Sequence, residues 1–204
     1  MAPQQAGEAF LQTDNSFHTD KKGEIRFAKG GVDDAEDAEV IAHEYSHAVR
    51  DAQVPSYGTS PEASAIGEAF GDYLAVEVES HAAAAYGWPQ KAGLACVADW
   101  DSIAYSAAPH CLRRIDGNKV YADLEGEVHA DGEIRSRALF DIRGALGAHT
   151  ADRTIANAQF GFAPDTSFRG ATLTTIATAQ RMYGKGAADA VRAAFKARQI
   201  PGTH

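Results

Sequence analysis

The chain is short of positive charge. Lys and Arg number 19 against 28 Asp and Glu, leaving a net charge of −9 over 204 residues. Without a basic surplus little can displace counterions from a phosphate backbone, so nucleic acid is not an expected partner. Long apolar runs are also missing. No stretch approaches the roughly 20 apolar residues that cross a bilayer, so no membrane partner is expected. The opening MAPQQAGEAF lacks the basic start and apolar core of a signal peptide, and the expectation is a trimmed mature fragment. Internal repeats and low-complexity tracts are absent. Cysteine is scarce: only Cys96 and Cys111 occur, fifteen positions apart. They are spaced either to close a loop, worth roughly 3 kcal/mol in the chain-entropy model, or to stand as two unrelated buried thiols.

What is present reads as one domain, mainly helical with a small β portion at the N-terminus. Residues 10–30 suit a short ribbon, with Phe17, Ile25 and Phe27 among glycines. Apolar spacing predicts a helix over Ala35–Asp51, with Asp33 or Asp34 as its cap. Ser60-Pro61-Glu62 is a strong start for a second helix that runs to about Ala85, before Gly87-Trp88-Pro89. Residues 90–128 read as irregular. A third helix is expected from about Ala130 to Leu146, stopped by Gly147. Further helices are expected near 151–159, 168–183 and 186–198. The division expected within 1–204 is a β portion plus first helix to about residue 50, then a mostly helical lobe over 51–204.

The chemistry concentrates in His43-Glu44-Tyr45-Ser46-His47. On a helix, positions four apart share a face, so both imidazoles can point to one metal. Glu44, next to the first of them, is placed to take a proton from a metal-bound water. A catalytic zinc site wants a third protein ligand. Glu68 is the candidate, 21 residues after His47, and Asp72 sits four further on, on the same face. Asp72 is then suited to accept the free ring N–H of a ligating His. Gly67 and Gly71 flank these acids and suit close approach of the two helices.

Three segments together, HEYSHAV, ASAIGEAFGDYLA and GEVHADGEIRSRALFDI, resemble the thermolysin-like peptidases, and among them the fungalysin family, in order and rough spacing. The resemblance covers about residues 15–200. It implies an α+β, mainly helical zincin fold with a reduced N-terminal β portion, and a secreted zinc endopeptidase carrying one Zn2+ per chain. Its partner is a peptide or protein substrate, and the prosegment that accompanies such enzymes is missing from this chain. It implies that His43, His47 and Glu68 bind the metal, that Glu44 is the general base and that His129 donates a hydrogen bond to the tetrahedral intermediate. Asp123, Glu125 and Glu127 are the candidates to orient His129, while Glu133 suits support of the helix start. Arg113, with Arg114 as competitor, maps to the arginine that bonds the substrate carbonyl. Asn15 maps to the edge strand that pairs with substrate, and Val40 and Leu112 to the apolar specificity pocket. Tyr57 is the candidate second oxyanion donor, at an offset from Glu68 other than the family's. Glu39 and Glu79 lie near positions that bind calcium in some relatives, but companion ligands are not evident and calcium is not expected. The alternative reading is a zinc-binding but catalytically weak relative that serves as a binding module.

Overall fold

The computed structural model describes residues 15–19, 23–90 and 92–203. Two compact units are made from interleaved segments. The first holds the described residues through Ala48 together with Leu74–Arg114, and the second holds Val49–Tyr73 together with Ile115 onward. No helix among the described residues is long and apolar enough to cross a membrane.

In the first unit, β1 (Phe17–Thr19) and β2 (Glu24–Arg26) pair antiparallel with Phe17 opposite Arg26. This is the expected ribbon, as far as the described residues reach. Helix α1 (Ala38–Gln53) follows a single 3-10 turn at Asp34–Glu36. The cap is neither Asp33 nor Asp34. Asp37 Oδ1 accepts the N–H groups of Glu39 at 2.8 Å and Val40 at 3.2 Å. Several acids in a row offer equivalent caps in sequence, and the intervening 3-10 turn moves the choice three residues on. Residues 96–114 carry an antiparallel pair, β3 (Cys96–Val97) with β4 (Arg113–Arg114). Cys96 and Cys111 form a disulfide across it, with Cα atoms 5.6 Å apart.

The second unit holds the hydrophobic core. Helix α2 (Pro61–Tyr86) starts where Ser60 Oγ accepts the N–H of Ala63 at 3.1 Å. Its first half lies in this unit and buries Ile66, Phe70 and Tyr73. Helices α3 (Val128–Leu146), α4 (Ala148–Gln159), α5 (Phe168–Tyr183) and α6 (Lys185–Ala197) complete the bundle. Helix α3 packs on α4 and α6, and α5 on α4 and α6. Ile134, Leu139 and Ile142 of α3 meet Ile155, Phe168, Val191 and Phe195 in one cluster. The spacing of these residues puts them on the inward faces of their helices, which is why the helical pattern was legible. Glu62 ties the bundle locally, accepting Tyr121 Oη–H at 3.0 Å and Phe168 N–H at 2.5 Å.

Gly132 and Gly67 in this unit each sit against a close neighbour. At Gly132 a Cβ would stand 3.1 Å from Ala65 O and from Glu68 Cβ, and 3.2 Å from Ala69 N. The missing side chain lets α3 lie directly on the turn of α2 that carries Glu68. Valine at position 132 must therefore push the two backbones apart, and an overpacked core site costs typically about 1–3 kcal/mol. Gly144 of the same helix would meet nothing within 4 Å, so alanine there stabilises by about 0.5–1 kcal/mol through helix propensity. Urea denaturation of both variants is expected to move the midpoint in opposite directions; a Gly132→Val midpoint equal to wild type would contradict the packing. The second of these glycines is Gly67. A Cβ there would stand 1.8 Å from an Arg50 guanidinium nitrogen. Gly67 thus makes room for a buried arginine rather than for a helix backbone, which differs from the role expected for it. That guanidinium lies 4.6 Å above the ring centroid of Tyr57.

Candidate metal centre

In the first unit, α1 presents its two histidines one turn apart on one face. The rings of His43 and His47 meet edge to face, with centroids 5.1 Å apart and planes at 76°. Four-residue spacing on a helix requires this proximity. His43 and Glu44 are buried and His47 is half-buried. Ser46 is fully buried while its neighbour Tyr45 is exposed. The helix therefore turns His43 and Glu44 inward and leaves Tyr45 to solvent. Val40 is half-buried a turn before the histidines. In the same unit, Leu112 is 40% exposed, and Arg113 pairs with Val97 in the β3–β4 ribbon. Arg114 donates to the carbonyl of Ala92 at 3.2 Å. Asn15 is exposed, and the neighbouring Ser16 hydroxyl donates to Asp34 Oδ2 at 2.5 Å.

In the second unit, Glu68 and Asp72 lie one turn apart on α2. Glu68 is half-buried and Asp72 is 1% exposed. His129, in the first turn of α3, sets its Nε2 3.3 Å from Glu68 Oε2. Its Nδ1 lies 2.8 Å from Glu127 Oε1. The structure thus selects Glu127 from three acids that the sequence leaves equivalent. Asp123 instead accepts the N–H of Val120 at 2.9 Å. Glu133 forms an ion pair with Lys119 at 3.3 Å.

Glu127 also begins the helix. Its carboxylate accepts the N–H of Ala130 at 2.8 Å and of His129 at 3.2 Å. Burial raises its pKa, but the bonds from the Ala130 N–H, the His129 ring and the His129 N–H outweigh that. With the charge of His129 they hold the carboxyl down at about 2. The loop before it is shaped by Asp131, which accepts the N–H groups of Glu125 at 2.8 Å and Gly126 at 3.0 Å. Asp131 lies two residues beyond His129 and had no expected role. Its signal in the sequence is an acid in the first turn of a helix, where it suits orphan N–H groups and the dipole.

Tyr57 is 7% exposed within the apolar cluster. Burial pushes its hydroxyl up to about 12 despite the nearby Arg135 and Arg50 charges. These contacts make it a packing residue of its unit.

The first unit also gathers oxygen donors. Asp37, Glu39 and Asp99 each offer an oxygen within 4.8 Å of the others, a group able to hold a metal ion. Asp37 Oδ2 accepts the Asp101 N–H at 2.9 Å and Glu39 Oε2 accepts the Asp99 N–H at 3.2 Å. Burial, then the charge of Asp37, pushes Glu39 up to about 8. The sequence pointed to Glu39 and Glu79 without companions. The companions are Asp37 and Asp99, the latter 60 positions from Glu39 in the chain.

No family model matches the chain, and no curated protein matches it. Solved structures do match. One is the precursor of protealysin, a metalloproteinase from Serratia proteamaculans, with a TM-score of 0.71 and 19% sequence identity. The match covers 93% of this chain and 66% of that one, so this chain spans less than two thirds of the length of that structure. At that identity the likeness is one of fold: the mainly helical architecture of this chain is similar to that of the protealysin precursor.

Proposed function

We propose that the chain is a zinc-dependent endopeptidase of the thermolysin-like zincin type, with residues 1–204 belonging to one catalytic domain. The observation that carries the reading is the imidazole pair: His43 and His47 stand one turn apart on α1 with ring centroids 5.1 Å apart, and Glu68 is the proposed third ligand. Two imidazoles and a carboxylate are the ligand set of an open, catalytic zinc site. The fold likeness to a metalloproteinase precursor supports it independently.

When bound, zinc lowers the pKa of a water and polarises the scissile carbonyl. The protein's own groups do the rest. Glu44 accepts the proton of the attacking water and returns it to the leaving amine. His129 donates a ring N–H to the oxyanion, and the Glu127 carboxylate beside Nδ1 holds the ring in place. Asp72 orients a ligating imidazole. Arg113 holds the substrate carbonyl, Asn15 pairs with substrate backbone, and Val40 and Leu112 line an apolar subsite. The expected setting is extracellular. A secreted thermolysin-like enzyme is also compatible with the Cys96–Cys111 bridge.

Removal of metal is the direct test. 1,10-Phenanthroline is expected to stop cleavage of an internally quenched peptide, and added zinc to restore it. Cleavage that persists in protein proven metal-free by elemental analysis would overturn the reading.

A further inference from the structure

The helical bundle of the second unit buries a positive charge. Arg135 lies on the inward side of α3 and is 3% exposed. Burial lowers its pKa only to about 10, so the side chain stays cationic at neutral pH. Nη2 donates to Thr175 Oγ1 at 3.3 Å. The guanidinium carbon stands 4.9 Å from the ring centroid of Phe195 and 5.8 Å from that of Phe162. Among the described residues no carboxylate pairs with this guanidinium, and Nη1 has no hydrogen-bond partner. Taking a guanidinium out of water costs more than two phenyl faces and one neutral hydroxyl return. Buried charges are ordinarily met by a charge of the other sign.

A second donor stands nearby. Tyr57 packs in the same apolar cluster as Phe162 and Phe195. It is 7% exposed, and its hydroxyl also has no partner among the described residues. The charge of Arg135 bears on that hydroxyl, yet the two groups do not bond each other. A water joining them must find acceptors for its own two protons. The phenyl rings offer none, and Thr175 Oγ1 already receives Nη2 while donating to Ala171 O at 2.7 Å. A halide ion accepts from every side, donates nothing and cancels the charge. Both donors are more than nine-tenths buried, which suits a single small ion and not an anionic group carried on a larger molecule.

We propose that the core of the second unit binds one small inorganic anion, chloride under ordinary salt, through Arg135 Nη1–H and the Tyr57 hydroxyl. Both bonds are charge-assisted. Such an ion neutralises the bundle and takes no part in hydrolysis.

The full chain is melted in a chloride-free buffer at constant ionic strength, with sodium gluconate replaced stepwise by sodium chloride. The unfolding midpoint is expected to rise by about 3–5 °C for each ten-fold increase in chloride above the dissociation constant. Arg135→Met roughly keeps the volume and removes the charge, and its midpoint should not respond to chloride. Tyr57→Phe removes one charge-assisted bond and should bind chloride about ten-fold weaker. Broadening of the chloride NMR line by wild type, lost in Arg135→Met, reads the same site without unfolding. Should Arg135→Met fail to fold, wild-type crystals grown in sodium bromide decide, by an anomalous peak beside Arg135 Nη1. Three results overturn the proposal. One is a wild-type midpoint indifferent to chloride, with no line broadening. Another is a chloride response in Arg135→Met equal to that of wild type. The third is bromide density that avoids Arg135.

Discussion

Glutamine at position 44 is expected to abolish peptide hydrolysis while leaving zinc in place. Glu44 stands between the two histidines in sequence and is 8% exposed on α1. Glutamine keeps its shape and volume, so helix packing and the imidazole pair are undisturbed. The amide cannot take a proton from water. General-base assistance is worth about 10²–10⁴-fold, and the loss should fall on kcat, because the residue acts in the transition state more than in substrate binding. The check is kcat/KM on a quenched peptide with elemental analysis of the same preparation. A variant that cleaves at the wild-type rate would remove Glu44 from the mechanism. A variant that loses its zinc would show that the position serves the metal instead.

Alanine at position 68 should do the reverse, and the protein should no longer retain metal. Two imidazoles alone make a poor zinc site, so affinity is expected to fall by more than the roughly 10–100-fold that loss of a supporting partner costs. Asp72→Asn supplies that comparison, since Asp72 is assigned only to orienting a ligand. Wild type should hold about one zinc per chain, as a three-ligand site with an open position requires. Equilibrium dialysis against a zinc buffer gives all three affinities. A Glu68→Ala affinity no lower than that of Asp72→Asn would demote Glu68 from ligand to neighbour. Glu68→Ala also removes the carboxylate 3.3 Å from His129 Nε2, so zinc affinity, not activity, is the readout that isolates its role as a ligand.

Much of the helical framework could be read in advance because punctuation and periodicity agreed. Ser60-Pro61 starts α2, and Gly147, with φ of 77°, stops α3. The small ribbon before α1 was also anticipated. What escaped had no local signature. The β3–β4 pair consists of strands of two residues each, too short for alternation to register. The cap of α1 was misassigned because Asp33, Asp34 and Asp37 carry the same chemistry within five positions. Among the candidate site residues, HExxH advertises its own geometry through helical spacing. The partner of His129 did not, since three acids stood near it in sequence and only the folded backbone brings Glu127 to its ring. The setting of Arg135 was invisible, because the groups around it come from Phe162, Thr175 and Phe195, which no motif connects to it.

One carboxylate, that of Glu127, accepts from two backbone N–H groups and sits against an imidazole nitrogen. Unwinding the first turn of α3 and releasing the ring of His129 are therefore a single event. Helix fraying, ordinarily a local and inconsequential motion, here becomes a loss of alignment at the ring. Aspartate in the same place keeps the charge but is one methylene shorter, and must give up either the helix start or the histidine. The position is thus closed to the most conservative replacement available, for reasons of reach and not of charge.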